Sequence, residues 1–263
     1  MIKLGHLEPL LKAKGLDFDE GQDSNIRLPK VAIGVFSKHL FNSIVDKYHC
    51  KEVGRIRNVN FIKRVYILSY KKCKFTIFLA GVGASAIASD IEILHAQGVE
   101  KVVIFGSCGV LDSTIEDCSI VIPNLAFREE GTSYHYVEAS DTIEVNPKYQ
   151  KAFIKILKKF SFGYTIGSVW TTDAFYRETI DKIDYFKKKG AKAVDMEASA
   201  IAAVCQVLNM EHFIFYYAGD NLDCAVWDAR SLEELANIEK KKAVVILALE
   251  LAQKMSQQDK TSH

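Results

Sequence analysis

Short runs rich in β-branched and aromatic residues recur along this chain, and stretches with apolar residues at helical spacing separate them. That alternation constrains the fold more than any other feature. "KVAIGVF" (30–36), "KVVIF" (101–105), "CSIVIP" (118–123), "YTIGSVWTT" (164–172) and "HFIFYYAG" (212–219) read as strands. "VYILSY" and "KFTIFLAG" read as a strand pair turning at Lys71–Lys72. Helices are expected from Lys38 behind a Ser37 cap, over 84–98 with a stop at Gly98, from Pro147, through "RETIDKIDYFKKKG", and after a short strand at 191–195. A closing helix is expected from Ser231 to Lys254, with Ser231 as N-cap and Glu233–Glu234 in its first turn. Strands without a polar face need cover on both sides. The expected class is therefore α/β: a mixed, mostly parallel central sheet flanked by helices.

With 263 residues, 49% of them apolar, and no visible linker, the chain reads as a single domain over 1–263. Residues 1–29 form an N-terminal extension, and 256–263 are expected to be a disordered tail. A net charge of +1 gives no reason to expect nucleic acid or an anionic membrane surface as partner. The longest apolar runs, such as "AVVILALELA", are about half of a bilayer span, and the N-terminus lacks the pattern of a signal peptide. Six scattered cysteines with no C-x-x-C pair fit reduced thiols in a cytoplasmic protein, and no metal site is expected.

In such sheets ligands bind beyond the carboxyl ends of the strands. Unusual residues gather at those ends: Gly34–Lys38, Gly81–Gly83, Gly106–Gly109, Thr172–Phe175, Asp195–Glu197 and Gly219–Asp223. "GSCG" (106–109) offers a tight strand-exit turn whose N–H groups and hydroxyl can approach an anion or a sugar oxygen. "TTDAFYRET" places Phe175 and Tyr176 just past a strand, where they either stack on a planar base or join the core. "AGDNLDCAVWD" leaves a strand with Asp220, Asp223 and Asp228, in a spacing that matches no EF-hand loop. Most telling is "GAKAVDMEASAIAAV" (190–204), an apolar stretch that carries Asp195 and Glu197 on either side of Met196. Burial-driven segments avoid carboxylates unless something holds or uses them.

These stretches together resemble the nucleoside phosphorylase family: purine and uridine phosphorylases and related nucleosidases. The resemblance runs from about Lys30 to Met255. It rests on "VDMEASA", "GSCG", "TTDAFY" and an Asp 23 residues after the second acid of the signature, in the family's order. It implies a partly barrel-like sheet and phosphorolysis of a nucleoside's N-glycosidic bond. By this carry-over Glu197 binds the ribose 2′- and 3′-hydroxyls, Met196 packs on the sugar, and Asp220 protonates the leaving base. Phe175 stacks on the base, with Cys108, Gly109 and Asp195 also on the base side and Asp195 secondary. Gly34 and Ser107 match phosphate contacts, and Lys38 stands where the family's first loop carries an arginine. No cofactor is implied, inorganic phosphate being a co-substrate. The implied assembly is a dimer-based homo-oligomer, trimer or hexamer, and His6 is a candidate for donation to a neighbour's site.

One departure matters. The phosphorylases usually carry an arginine where this chain has Ile104, and a second loop arginine has no match beyond the nearby Arg57 and Arg64. A phosphate dianion needs neutralising, so Arg128 in "FREEGTSYHY" is the first candidate substitute and Arg177 the second. Thr179 and Asp181 occupy the places of the uracil-gripping Gln-x-Arg of the uridine phosphorylases, which favours a purine. A uridine phosphorylase, a nucleosidase of the methylthioadenosine type that uses water, and a non-enzymatic binding protein on the same scaffold stand as alternatives.

Overall fold

A computed structural model describes residues 27–57, 62–232 and 235–258. The chain runs β1 (Val31–Val35), α1 (Lys38–Lys47), β2 (Lys51–Arg57), β3 (Ile62–Tyr70), β4 (Cys73–Leu79) and α2 (Ala84–Ala96). Then come β5 (Lys101–Val110), β6 (Ile120–Glu129), β7 (Thr142–Glu144), α3 (Gln150–Lys159), β8 (Tyr164–Thr172) and α4 (Ile180–Lys188). β9 (Ala191–Asp195), α5 (Ala198–Val207), β10 (Glu211–Asn221) and α6 (Ile238–Gln258) complete it.

The strands form one mixed sheet in the order β10-β6-β8-β9-β5-β1-β4-β3-β2. Its parallel pairings are β1–β4, β1–β5, β5–β10, β6–β8 and β8–β9. β2–β3, β3–β4, β5–β9, β6–β7 and β6–β10 run antiparallel. Because β10 also pairs with β5, the strands β5, β10, β6, β8 and β9 close into a ring. The sheet is thus barrel-like at one end and open at the other.

β10 shows why these runs become interior strands. Phe213, Phe215 and Tyr217 point to one face, into a core shared with Leu40 of α1, Phe153 of α3 and Leu247 of α6. Ile214, Tyr216 and Ala218 point to the other, among Ile87 and Ile91 of α2 and Ile201 of α5. Period-two geometry with both faces apolar needs helices on both sides, as observed. A smaller cluster under α4 stacks Trp170 on Phe186, with ring centroids 4.5 Å apart.

Several boundaries differ from the sequence reading. "GSCG" is not a turn: β5 runs through it to Val110, because Cys108 and Val110 remain paired to β10 and Gly109 and Val110 to β9. Gly34 lies inside β1, in register with Phe78 and Ile104, rather than at a strand exit. α3 begins at Gln150, since Tyr149 before it takes the left-handed conformation (φ 68°). α6 begins at Ile238, because the Ser231 hydroxyl is engaged with Asp117 at 2.5 Å and Cys118 at 3.2 Å. α6 also continues to Gln258, so the tail expected from 256 starts inside a helix. His6, Glu233, Glu234 and residues 259–263 lie outside the described residues.

Candidate active site

The ends of β5, β8, β9 and β10 surround a cavity of about 1160 Å³. It is roomy for a small organic molecule, since ligand pockets typically span about 300–1,000 Å³. β5 contributes Ser107, Cys108 and Gly109; the one-turn 3-10 helix after β8 contributes Phe175, Tyr176 and, beyond it, Glu178. Asp195, Met196 and Glu197 face it from the β9–α5 junction, and Asp220 from β10. Residues from widely separated parts of the chain thus meet in one hollow.

The two carboxylates of "VDMEASA" divide their labour. Asp195 accepts four hydrogen bonds: from Thr171 Oγ1 (2.7 Å), the Tyr216 hydroxyl (2.6 Å), and the backbone N–H groups of Glu197 (2.9 Å) and Ala198 (2.6 Å). It caps the N-terminus of α5 and ties it to β8 and β10. Oδ2 takes three of these bonds and Oδ1 the one from Thr171, so Asp195, expected on the base side in a secondary role, has a structural duty at the cavity wall. Glu197 is 6% exposed, and its Oε1 takes the Gly83 N–H at 2.7 Å. Burial and the neighbouring Asp195 push its carboxyl up to about 8.

Asp220 meets Trp227, whose indole N–H donates to Oδ2 at 2.9 Å. A Cβ built on Gly109 would stand 3.3 Å from Asp220 Oδ1, 2.5 Å from Leu222 Cδ1 and 3.0 Å from Val194 Cγ1. Only glycine therefore lets this acid lie against β5. Glu178 also feels Asp220: burial, then repulsion from that carboxylate, push Glu178 up to about 7. Cys108 is buried, and desolvation with Asp195 and Asp220 nearby keeps its thiol protonated, so it acts as a small apolar wall. Phe175 and Tyr176 pack on each other, ring centroids 4.1 Å apart, with Phe175 half exposed at the rim.

The anion side is different. Gly34, Lys38 and Arg128 do not line the cavity. Gly34 is sealed inside the sheet, and Lys38 is an exposed first-turn residue of α1. Arg128 corrects the substitution expected from the sequence: it is 5% exposed and turned into the loop that follows β6. Its guanidinium donates to Ser133 Oγ (2.9 Å), Glu138 O (2.8 Å) and Ser140 Oγ (2.8 Å), and covers the Tyr134 ring at 4.1 Å. Glu130 of the same motif takes the Ser133 N–H and the Ser199 hydroxyl, docking the loop on α5. Ile104 is fully buried among apolar residues. Among the described residues the cavity's lining includes one lysine or arginine, Lys187, which is paired with Asp223.

Sequence reasoning passed over Glu178 and Trp227. Glu178 sits in the quoted "FYRET" and Trp227 in "DCAVWD", so each lay beside a residue already singled out. Nothing local marks them, since their significance comes from proximity to Asp220.

A sequence model of the phosphorylase superfamily matches residues 30–255. The DeoD-type purine nucleoside phosphorylase of Colwellia psychrerythraea is 25% identical over 172 residues, 64% of this chain and 70% of that protein. The 5′-methylthioadenosine/S-adenosylhomocysteine nucleosidase of Buchnera aphidicola is 28% identical over 170 residues, 61% of this chain and 73% of that protein. The crystal structure of uridine phosphorylase from Vibrio fischeri superposes with a TM-score of 0.76 at 22% identity, covering 90% of this chain and 100% of that one. The last likeness is one of fold.

Proposed function

The chain belongs to the phosphorylase superfamily, and from that premise we propose that it cleaves the N-glycosidic bond of a purine nucleoside, passing the ribosyl group to phosphate. The observation that carries this reading is that Glu197 and Asp220 open into one cavity from the ends of different strands. The ribose 2′- and 3′-hydroxyls hydrogen-bond to the carboxyl group of Glu197, whose position is fixed by Gly83. Met196 packs on the sugar, while Phe175 stacks on the base and Cys108 and Gly109 flank it. As the bond breaks, the sugar gains oxocarbenium character and the base negative charge. Asp220 then donates a proton to the ring nitrogen of the base. Ser107, on the cavity wall, contacts the phosphate in this reading.

A purine is favoured because Asp181 lines a second hollow with Arg128 and Lys189 and not this cavity, so nothing at that position grips a pyrimidine's carbonyls. The reading needs no metal or organic cofactor. Large apolar side chains ring the mouth, Tyr176 at 89%, Ile180 at 78% and Trp227 at 57% exposure, which supports a dimer-based homo-oligomer covering them. A basic residue of the second copy would complete the phosphate site.

One observation favours a second reading, hydrolysis by water. Ile104 is buried where phosphorylases carry arginine, and Lys187 is tied to Asp223. Water needs no cation. Incubation with inosine, adenosine and uridine, with and without phosphate, separates the two by release of free base. Purine release that requires phosphate is the expected result. Release without phosphate establishes the second reading, and no release from any nucleoside defeats both.

A further inference from the structure

We infer that Trp227 is a positioning residue for the acid: its indole N–H holds one oxygen of Asp220 and leaves the other to carry the proton to the base. This rests on the reading of Asp220 given above.

The two oxygens of Asp220 have different surroundings. Oδ2 accepts from Trp227 Nε1, whereas Oδ1 lies toward Gly109, on the strip of β5 that flanks the base. Trp227 is 57% exposed, so core packing does not explain its place. Its loop is pinned at both ends. Asn221 and Asp228 exchange backbone hydrogen bonds of 2.8 and 3.3 Å, and Arg230 Nη1 donates to Ile115 O at 2.8 Å. Within the loop, Asp223 accepts from the Ser113 N–H at 2.9 Å and pairs with Lys187. The loop therefore delivers a large aromatic to the cavity wall, and the indole N–H reaches the one carboxylate assigned to proton transfer.

The chemistry gives that hydrogen bond a purpose. In the proposed step a proton passes from Asp220 to the base nitrogen as the C1′–N bond breaks, and negative charge develops on the carboxyl. Hydrogen bonds to a charged acceptor are roughly twice as strong as neutral ones. The Trp227 donor thus binds more tightly as the reaction proceeds, which is transition-state stabilisation. Glu178 is the second carboxyl beside Asp220, and burial with that neighbour pushes Glu178 itself up to about 7. Cys108 is the further titratable group facing Asp220, and its thiol stays neutral.

The test compares wild type, Trp227→Phe, Asp220→Asn and the double variant on inosine and on 7-methylinosine. N7-methylation makes the leaving base cationic before the bond breaks, so it needs no proton. On inosine, Trp227→Phe is expected to lower kcat about 10- to 100-fold while KM changes less than about threefold. On 7-methylinosine the loss from Trp227→Phe is expected to be much smaller than on inosine, and the double variant on inosine is no slower than Asp220→Asn alone. Equal loss on both substrates, or no loss on inosine while Asp220→Asn is slow, overturns the role of Trp227. An Asp220→Asn enzyme as fast as wild type on inosine instead removes the acid itself, and the inference with it.

Discussion

Gly83 donates its backbone N–H to Oε1 of Glu197 at 2.7 Å, across 114 residues of sequence. The contact joins the loop after β4 to the start of α5 and aims a buried carboxyl into the cavity. Gly83 has φ 93° and ψ 149°, a conformation open essentially to glycine. Behind it, Gly81 gives its N–H to Oδ2 of Asp90, which is paired with Lys63. A buried ion pair thus anchors the loop that orients Glu197.

Glu197 supplies a pH test of this arrangement. Its carboxyl is pushed up to about 8 in the native protein from an ordinary value of 4.5. Between those values the native state keeps a proton that the unfolded chain has lost, so this group lowers stability as pH rises across that window. Glutamine cannot titrate. Thermal unfolding of Glu197→Gln should show a gain over wild type that grows from pH 5 to pH 8, while its nucleoside KM rises sharply. A stability gap independent of pH would remove the titration from Glu197.

Asp195→Asn should behave differently. Asparagine can keep its carbonyl oxygen for the Glu197, Ala198 and Tyr216 donors, but its NH₂ then faces Thr171 Oγ1, and the Thr171 hydroxyl loses the acceptor it now has. A loss of about 2–4 kcal/mol in urea unfolding is expected, because a buried donor left without an acceptor costs its desolvation. Nucleoside KM should worsen in step with stability, since α5 carries Met196 and Glu197 at its entrance. Native stability in Asp195→Asn would show that the cap is dispensable.

Much of the scaffold was legible because the strands declare themselves. The runs at 31–35, 101–105 and 212–219 are apolar on both faces, and only buried strands tolerate that. β2, "KEVGRIR", escaped notice because its charged residues interrupt the pattern. "GSCG" misled in the other direction: two glycines signal a turn, yet here they let β9 and Asp220 lie close to a continuing strand. That Glu197, Asp220 and Phe175 would gather at strand ends was readable from their motifs, and all three line one cavity. The structural duty of Asp195 was not readable, since Thr171 and Tyr216 approach it only once β8 and β10 flank β9's end. Arg128 shows the same limit. Its motif looked like spare basic chemistry, and its partners turned out to be its own loop.

That loop gives the third prediction. Arg128→Ala removes hydrogen bonds to Ser133, Glu138 and Ser140 and the contact with the Tyr134 ring. The expected cost is about 2–4 kcal/mol of unfolding free energy. Because Arg128 lies outside the cavity, the phosphate KM of the folded variant should stay within about twofold of wild type, by the ratio expected for a distant structural residue. A phosphate KM raised tenfold or more would return Arg128 to the anion site.

Gly109→Ala probes how closely Asp220 must approach β5. The added methyl would fall 2.5 Å from Leu222 Cδ1 and 3.0 Å from Val194 Cγ1, both closer than side-chain carbons normally approach. Leu222 is only partly buried and its end can yield, but it follows Asp220 by two residues on the same strand exit, so the shift reaches the acid. Overpacking of this size costs about 1–3 kcal/mol. On the proposed role of Asp220 as proton donor, moving it by about 1 Å lowers kcat by up to about 100-fold. The measured effect should therefore fall mainly on kcat for inosine, with a smaller loss in stability and little change for 7-methylinosine, which needs no proton from Asp220. An equal fall in kcat on both substrates would mean that the methyl blocks the base itself, and that Gly109 is kept for the ligand's room and not for the acid's.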